Sequence, residues 1–162
     1  MRNRHGLLIL GQTRTGKSKF MEVLQKTLSK LNDDDQTQDG VPVLAVDSET
    51  ICIDNLGLDD LYGSFDSTTK KWSDGKITEV FRKFASAADN RQKWIIFSGR
   101  IDPVWVERLN SVLDDNKKLC LENGEIIQAS KNMRFIFETN DCNKATPAFI
   151  SRSGVILLSE KF

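Results

Sequence analysis

Short unbroken apolar runs alternate along this chain with longer stretches whose apolar residues recur at helical spacing. Residues 6–10 (GLLIL) form such a run and end against a glycine, the pattern of a strand buried on both faces. Residues 17–31 predict a helix. Phe20, Val23, Leu24, Leu28 and Leu31 fall on one side of it and are its expected buried face. Residues 32–40 (NDDDQTQDG) predict an acidic exposed loop, and residues 41–46 a second strand with Pro42 near its start. Residues 48–74 have weak periodicity and many turn signals, and predict no defined element. Residues 76–88 predict a helix with Ile77, Val80, Phe81 and Phe84 inward. WIIF (residues 94–97) and MRFIF (residues 133–137) predict two more buried strands. Between them, Asp102 and Pro103 have the character of a cap and first helical position, opening a helix that carries Val106, Leu109, Val112 and Leu113 and stops near Asn116. Asn123-Gly124 between short apolar runs signals a hairpin, because both residue types accept positive φ. A short helix over residues 146–150 and a last strand over 155–158 complete the pattern.

Strands alternating with helices predict an α/β fold: a mostly parallel sheet with helices on both faces, plus a hairpin insert at about residues 117–130. Such sheets bind ligands beyond the carboxyl ends of their strands. The length of 162 residues fits one domain. Lys plus Arg equals Asp plus Glu at 23 each, so charge points to neither nucleic acid nor an anionic membrane. The basic start followed by LLIL resembles a signal peptide only superficially, since the apolar run is short and no small-residue cleavage site follows. Cys52, Cys120 and Cys142 are odd in number and widely spaced, which suits reduced thiols in the cytosol. With no CxxC or His/Cys cluster and His5 the only histidine, zinc sites and histidine-based triads are nearly excluded.

The strongest chemical signal is GQTRTGKS, residues 11–18, which fits the phosphate-loop pattern G-x-x-x-x-G-K-[ST]. A chance match arises roughly once in a few hundred chains of this length. An apolar strand precedes the loop and an amphipathic helix follows, as the pattern requires. Gly11 and Gly16 allow the tight turns that aim backbone N–H groups at phosphate oxygens, with Gln12, Thr13, Arg14 and Thr15 between them. The helix start adds the positive end of its dipole. Lys17 supplies charge to the β- and γ-phosphates, Ser18 a hydroxyl to Mg²⁺, and Lys19 completes the candidate nucleotide-binding set. ATP or ADP with Mg²⁺ is the expected ligand.

A GTPase would need Asn-Lys-x-Asp to read guanine, and neither Asn116-Lys117 nor Asn143-Lys144 is followed by that Asp. A lone D-x-x-G at residues 60–63 is weak. Hydrolysis by this class also calls for a strand ending in acidic residues, one to hold Mg²⁺ and one to activate water. WIIF is followed instead by Ser98 and Gly99, and Asp102 reads as a helix cap. Nucleotide binding with slow turnover is the expectation. A small independent phosphate-loop kinase or ATPase, or a scaffold whose pocket is vestigial, are the alternatives. Asp114-Asp115, at the expected end of a helix, invites either a contact or simple solvation.

Residues 61–75 (LYGSFDSTTKKWSDG), 93–127 (KWIIFSGRIDPVWVERLNSVLDDNKKLCLENGEII), 133–138 (MRFIFE) and 145–154 (ATPAFISRSG) resemble the dynein heavy chain. More narrowly, they are similar to the large α/β part of its second AAA+ module. The resemblance implies a nucleotide-binding, hydrolysis-poor module of a microtubule motor. Its partners would be the neighbouring AAA+ modules of the same heavy chain, with microtubules met only through the whole motor. It implies a place on the cytoskeleton, in the cytoplasm or the axoneme of a cilium or flagellum. By position, Arg152 matches the arginine that reaches into the adjoining module as an arginine finger, and Asn140 the sensor I position. The Asn123-Gly124 hairpin matches the insert before sensor I, and the stretch around residues 61–75 falls near the helix-two insert. Three residues depart from the family pattern: Ser98 stands for Asp, which implies weakly held Mg²⁺, Glu49 for a common Lys, and Ser153 for the Cys after the arginine. The helical lid of such modules follows the last strand and is not in this sequence, so the resemblance implies a piece of a motor.

Overall fold

A computed structural model describes residues 6–159, and His5 with the rest of the basic start lies outside them. In chain order the elements are β1 (Gly6–Leu10), α1 (Lys17–Asp33), β2 (Thr37–Gln38), β3 (Val41–Pro42), β4 (Val46–Cys52), α2 (Leu58–Tyr62), β5 (Gly63–Phe65), β6 (Trp72–Asp74), α3 (Lys76–Ala85), β7 (Gln92–Ser98), α4 (Pro103–Val106), a 3-10 turn (Glu107–Leu109), β8 (Lys118–Cys120), β9 (Ile126–Gln128), β10 (Met133–Thr139), α5 (Pro147–Arg152) and β11 (Ser153–Leu157).

The apolar runs become a five-stranded sheet in the order β11-β1-β10-β7-β4, and every pairing in it is parallel. Alternating side chains along each strand divide the interior into two layers. Leu8, Ile95, Phe97, Phe135 and Phe137 point to one side, where they meet Ile77, Val80, Phe81 and Phe84 of α3, Val106 of α4 and Phe149 of α5. Phe97 stacks on Phe137 at 4.9 Å between centroids, and Phe149 meets Phe137 edge-on at 4.8 Å. Such pairs add about 0.5–1.5 kcal/mol each beyond the burial of their area. Leu7, Ile9, Trp94, Ile96 and Ile136 point to the other side and pack under α1. Helices on both faces of a mostly parallel sheet are the three-layer α/β arrangement that the pattern predicts.

Four sequence expectations change. The buried face of α1 is Met21, with Leu24 and Leu28 packed beside it, whereas Phe20 is 40% and Val23 52% exposed. Polar groups decide the rotation. Gln25 donates to the Val46 carbonyl and accepts from Ser48 Oγ, and Ser29 Oγ accepts from Val46 N–H. Those bonds turn the stripe containing Gln25 and Ser29 toward β4. Next, the strand expected over residues 41–46 is instead a two-residue arm of the β2–β3 hairpin, and the sheet strand is β4, which starts at Val46 and runs into the stretch expected to have no defined element, where α2, β5 and β6 also form. Third, the helix after Pro103 ends early, although Val106, Leu109, Val112 and Leu113 are all buried as expected. Asp114-Asp115 therefore lies in a turn, and Asp114 contacts Arg152 of the same chain. Last, only Gly124 of Asn123-Gly124 has positive φ, at 86°. Asn123 Oδ1 instead accepts from Glu125 N–H, and Leu121 N–H closes the ladder on the Glu125 carbonyl.

Two hairpins stand off the sheet and share a bridge. Arg82 of α3 holds Asp74 of β6 at 3.0 Å and both carboxylate oxygens of Glu125, beside β9, at 2.5 and 3.0 Å. The guanidinium draws the Glu125 carboxyl below its ordinary range. Around Asp74, burial pushes the other way, and the bonds from Arg82 and Trp72 outweigh it to lower that carboxyl too.

Candidate functional site

The turn from β1 into α1 carries the glycine-rich loop. Gly16 precedes α1 with φ 86°, a left-handed geometry that a Cβ resists. Gly11 serves a different need. A Cβ there would come within 2.6 Å of Thr15 Oγ1 and 2.8 Å of the Leu158 carbonyl, so its lack of a side chain lets the loop close on itself and on the end of β11. Arg14 also has positive φ, at 73°, which places backbone strain within the loop. No side chain caps the helix at Gly16 and no acidic residue lies in the first turn. The first-turn amides and the positive end of the dipole are thereby left for an anion.

Thr13, Arg14, Gly16, Lys17, Ser18 and Lys19 line one cleft of ≈ 360 Å³, closed on the far side by Ser98, Glu138 and Asn140. Gln12 and Thr15 shape the loop behind it, where Thr15 Oγ1 donates to the Gln12 carbonyl at 2.9 Å. Lys17 Nζ donates to the carbonyls of Gly11 at 2.6 Å and Gln12 at 2.9 Å, and to Asn140 Oδ1 at 3.3 Å. Asn140 Nδ2 donates to Thr13 Oγ1 at 3.3 Å. The residue just beyond β10 is thus tied to both sides of the loop, although 123 residues separate it from Lys17. Lys19 points along α1 and pairs with Glu22 at 2.9 Å.

Arg152 is remote from this cleft. Ser153 is in register with Gly6 and Leu157 with Leu10, so Arg152 stands at the edge of the sheet where β1 begins, whereas the loop lies where β1 ends. At about 3.3 Å per residue the two are roughly 13 Å or more apart. Arg152 bonds the Asp114 carboxylate and the Ala148 carbonyl. The hydrogen bond to the Asp114 carboxylate, with its charge, raises the already high pKa of the guanidinium.

Two lining carboxylates were not among the sequence candidates. Asp54 Oδ1 accepts from Arg100 N–H at 3.1 Å and faces its guanidinium at 3.6 Å, holding the turn after β7. Glu138 lies in β10, in register with Ser98. Its signal was legible: it ends an apolar strand, the feature sought after WIIF and found one strand away. No cluster of three or more His, Cys, Asp or Glu residues suited to a metal occurs among the described residues. None of the described helices is long and apolar enough to cross a membrane.

The sequence has relatives. The profile of the family "AAA domain (dynein-related subfamily)" matches residues 6–153. Dynein axonemal heavy chain 12 of Homo sapiens is 40% identical over 155 residues, which are 96% of this chain and 5% of that protein. Dynein axonemal heavy chain 3 of Mus musculus is 43% identical over 155 residues, 96% of this chain and 4% of its own. Dynein axonemal heavy chain 1 of Mus musculus is 41% identical over the same span, again 4% of its length. The chain spans about a twentieth of the curated relatives it matches. With its phosphate-loop turn, parallel sheet and profile match covering the same residues, the chain belongs to the dynein-related subfamily of AAA domains.

Proposed function

We propose that this chain is the nucleotide-binding large subdomain of the second AAA+ module of a dynein-type motor. It takes ATP or ADP with Mg²⁺, turns it over little, and lends Arg152 to the neighbouring module. The observation that carries this reading is the convergence at Lys17, whose ammonium is gathered with Thr13 and Asn140 at the opening of a loop built to hold an anion. Triphosphate oxygens would take over the contacts that Lys17 makes with Gly11 and Gln12 carbonyls. Slow turnover follows from β7, which delivers Ser98 and Gly99 to the cleft, so no carboxylate from that strand orients an attacking water. The remoteness of Arg152 from its own cleft favours a role in trans. The axonemal relatives favour a parent motor of the cilium or flagellum, acting on microtubules only as a whole.

Calorimetric titration of the purified chain with ATP and ADP, with phosphate release followed in parallel, tests this. Binding with little release is the expected result. Lys17→Ala abolishes the binding, and unchanged affinity in that variant would sink the phosphate-loop assignment. Rapid turnover would favour an independent ATPase, and absence of binding a vestigial scaffold.

A further inference from the structure

Glu138 is held in a state that a fold does not favour for its own sake. It is 5% exposed, and its Oε1 is buried without a hydrogen-bond partner. Among the described residues only Asn110 Oδ1 shares that condition. A buried carboxylate oxygen without a donor is costly, so the arrangement calls for a ligand. The residue lines the phosphate-loop cleft together with Lys17 and Ser18.

Its place in the sheet says which ligand. Glu138 and Ser98 are in register on adjacent parallel strands and follow Ile136 and Ile96, which both pack under α1. Side chains alternate, so Glu138 and Ser98 share the face that carries the phosphate loop. Neighbouring strands are about 4.8 Å apart, and Glu is one methylene longer than Asp. An acid lost at the end of β7 can therefore be replaced from β10 at the same height. The other carboxylate of the cleft, Asp54, is already engaged by the backbone and guanidinium of Arg100.

We infer that Glu138 substitutes for the missing β7 carboxylate as the acid that would hold the hydrated Mg²⁺ of the bound nucleotide, together with the Ser18 hydroxyl. This rests on the nucleotide-binding reading above. Mg²⁺ retains several waters and is held by one or two carboxylates plus substrate phosphates, which suits a single acidic group set back from the cleft surface. When bound, the ion neutralises phosphate charge. The chain's own part is to orient that ion's water shell through Glu138 and to leave Lys17 free for the phosphates.

The test is Glu138→Gln, close in shape and without the charge. Nucleotide affinity is measured calorimetrically in EDTA and in Mg²⁺, and Mn²⁺ uptake by the nucleotide complex is followed by electron paramagnetic resonance. The variant is expected to bind metal-free nucleotide at least as tightly as wild type, because a negative charge near the phosphates is gone. It is expected to lose about 10–100-fold in Mg²⁺ or Mn²⁺ affinity. Ser98→Asp added to Glu138→Gln should restore the metal dependence. Relief of the buried charge should raise the urea midpoint of the nucleotide-free variant, which keeps the folded state available for measurement. Unchanged metal affinity in Glu138→Gln overturns the inference, and so does a lowered urea midpoint, which would mean that the fold itself satisfies the carboxylate. Wild-type chain that binds no nucleotide overturns the underlying nucleotide reading instead, whereas metal-insensitive binding by wild type overturns only the role of Glu138.

Discussion

Gly11 and Gly16 occupy equivalent places in the loop motif for different physical reasons, and the difference is measurable. Gly16 needs a left-handed φ but has open space around it, with no other atom within 4 Å of where a Cβ would sit. Asn visits that region more readily than other residues with a Cβ, so Gly16→Asn should lower stability by about 1 kcal/mol or less. Gly11 has no such φ but no room, and the obstacles include the Leu158 backbone carbonyl. Gly11→Ala should therefore cost about 1–3 kcal/mol in urea unfolding. Equal losses would refute the distinction. At this scale the site was legible where its residues are contiguous. The motif names the loop because one turn of backbone does the work. Glu138 is visible in the sequence as the acid that ends an apolar strand, but its relation to the phosphate loop depends on register with Ser98, between strands 40 residues apart in the chain. Asp54 escaped because its partner Arg100 is 46 residues away.

Elements were legible where burial is two-sided. β1, β7 and β10 are interior strands of the sheet, and their sequences are nearly unbroken apolar runs. β4 is an edge strand reading VDSETIC, with only Val46 and Ile51 buried, so its sequence carries little apolar signal. Neither charge nor periodicity could reveal that it pairs with a strand on one side only. The helix α1 shows a subtler failure. Its sequence offers overlapping apolar stripes, and the choice between them is made by Gln25 and Ser29 bonding to β4. The choice has an energetic consequence. Met21 is 3% exposed and packs in the layer beneath the sheet. Met21→Ala should cost about 2–5 kcal/mol, whereas Phe20→Ser, on the face first expected to be buried, should change stability by about 0.5 kcal/mol or less. Urea unfolding of the two variants separates the faces, and a larger loss in Phe20→Ser would reverse the assignment of the helix.

For the whole molecule, the two ends of β1 define different tasks. Its carboxyl end opens on the loop, Lys17 and Asn140, while its amino end lies beside Ser153 and the Arg152 that precedes it. One rigid strand thus separates the group that would hold this chain's nucleotide from the group proposed to serve another's. The Asp114–Arg152 pair bears on that proposal. Arg152 is 31% and Asp114 43% exposed at the side chain, so solvent screens the pair, and docking against a neighbour could redirect the guanidinium readily. A buried pair would have locked it in place. In a whole heavy chain, Arg152→Ala should therefore slow ATP turnover at the adjoining module, by about 10³-fold if it acts as other arginine fingers do. Nucleotide affinity of this module should remain at the wild-type value, because the cleft lies at the other end of the sheet. The two measurements together discriminate between mechanisms. Slowed turnover with unchanged local affinity is the signature of a residue acting in trans. Loss of both would mean that the substitution has disturbed the fold around α5 and β11. Wild-type turnover would remove Arg152 from catalysis and leave its bond to Asp114 as a tie between α5 and the turn before β8.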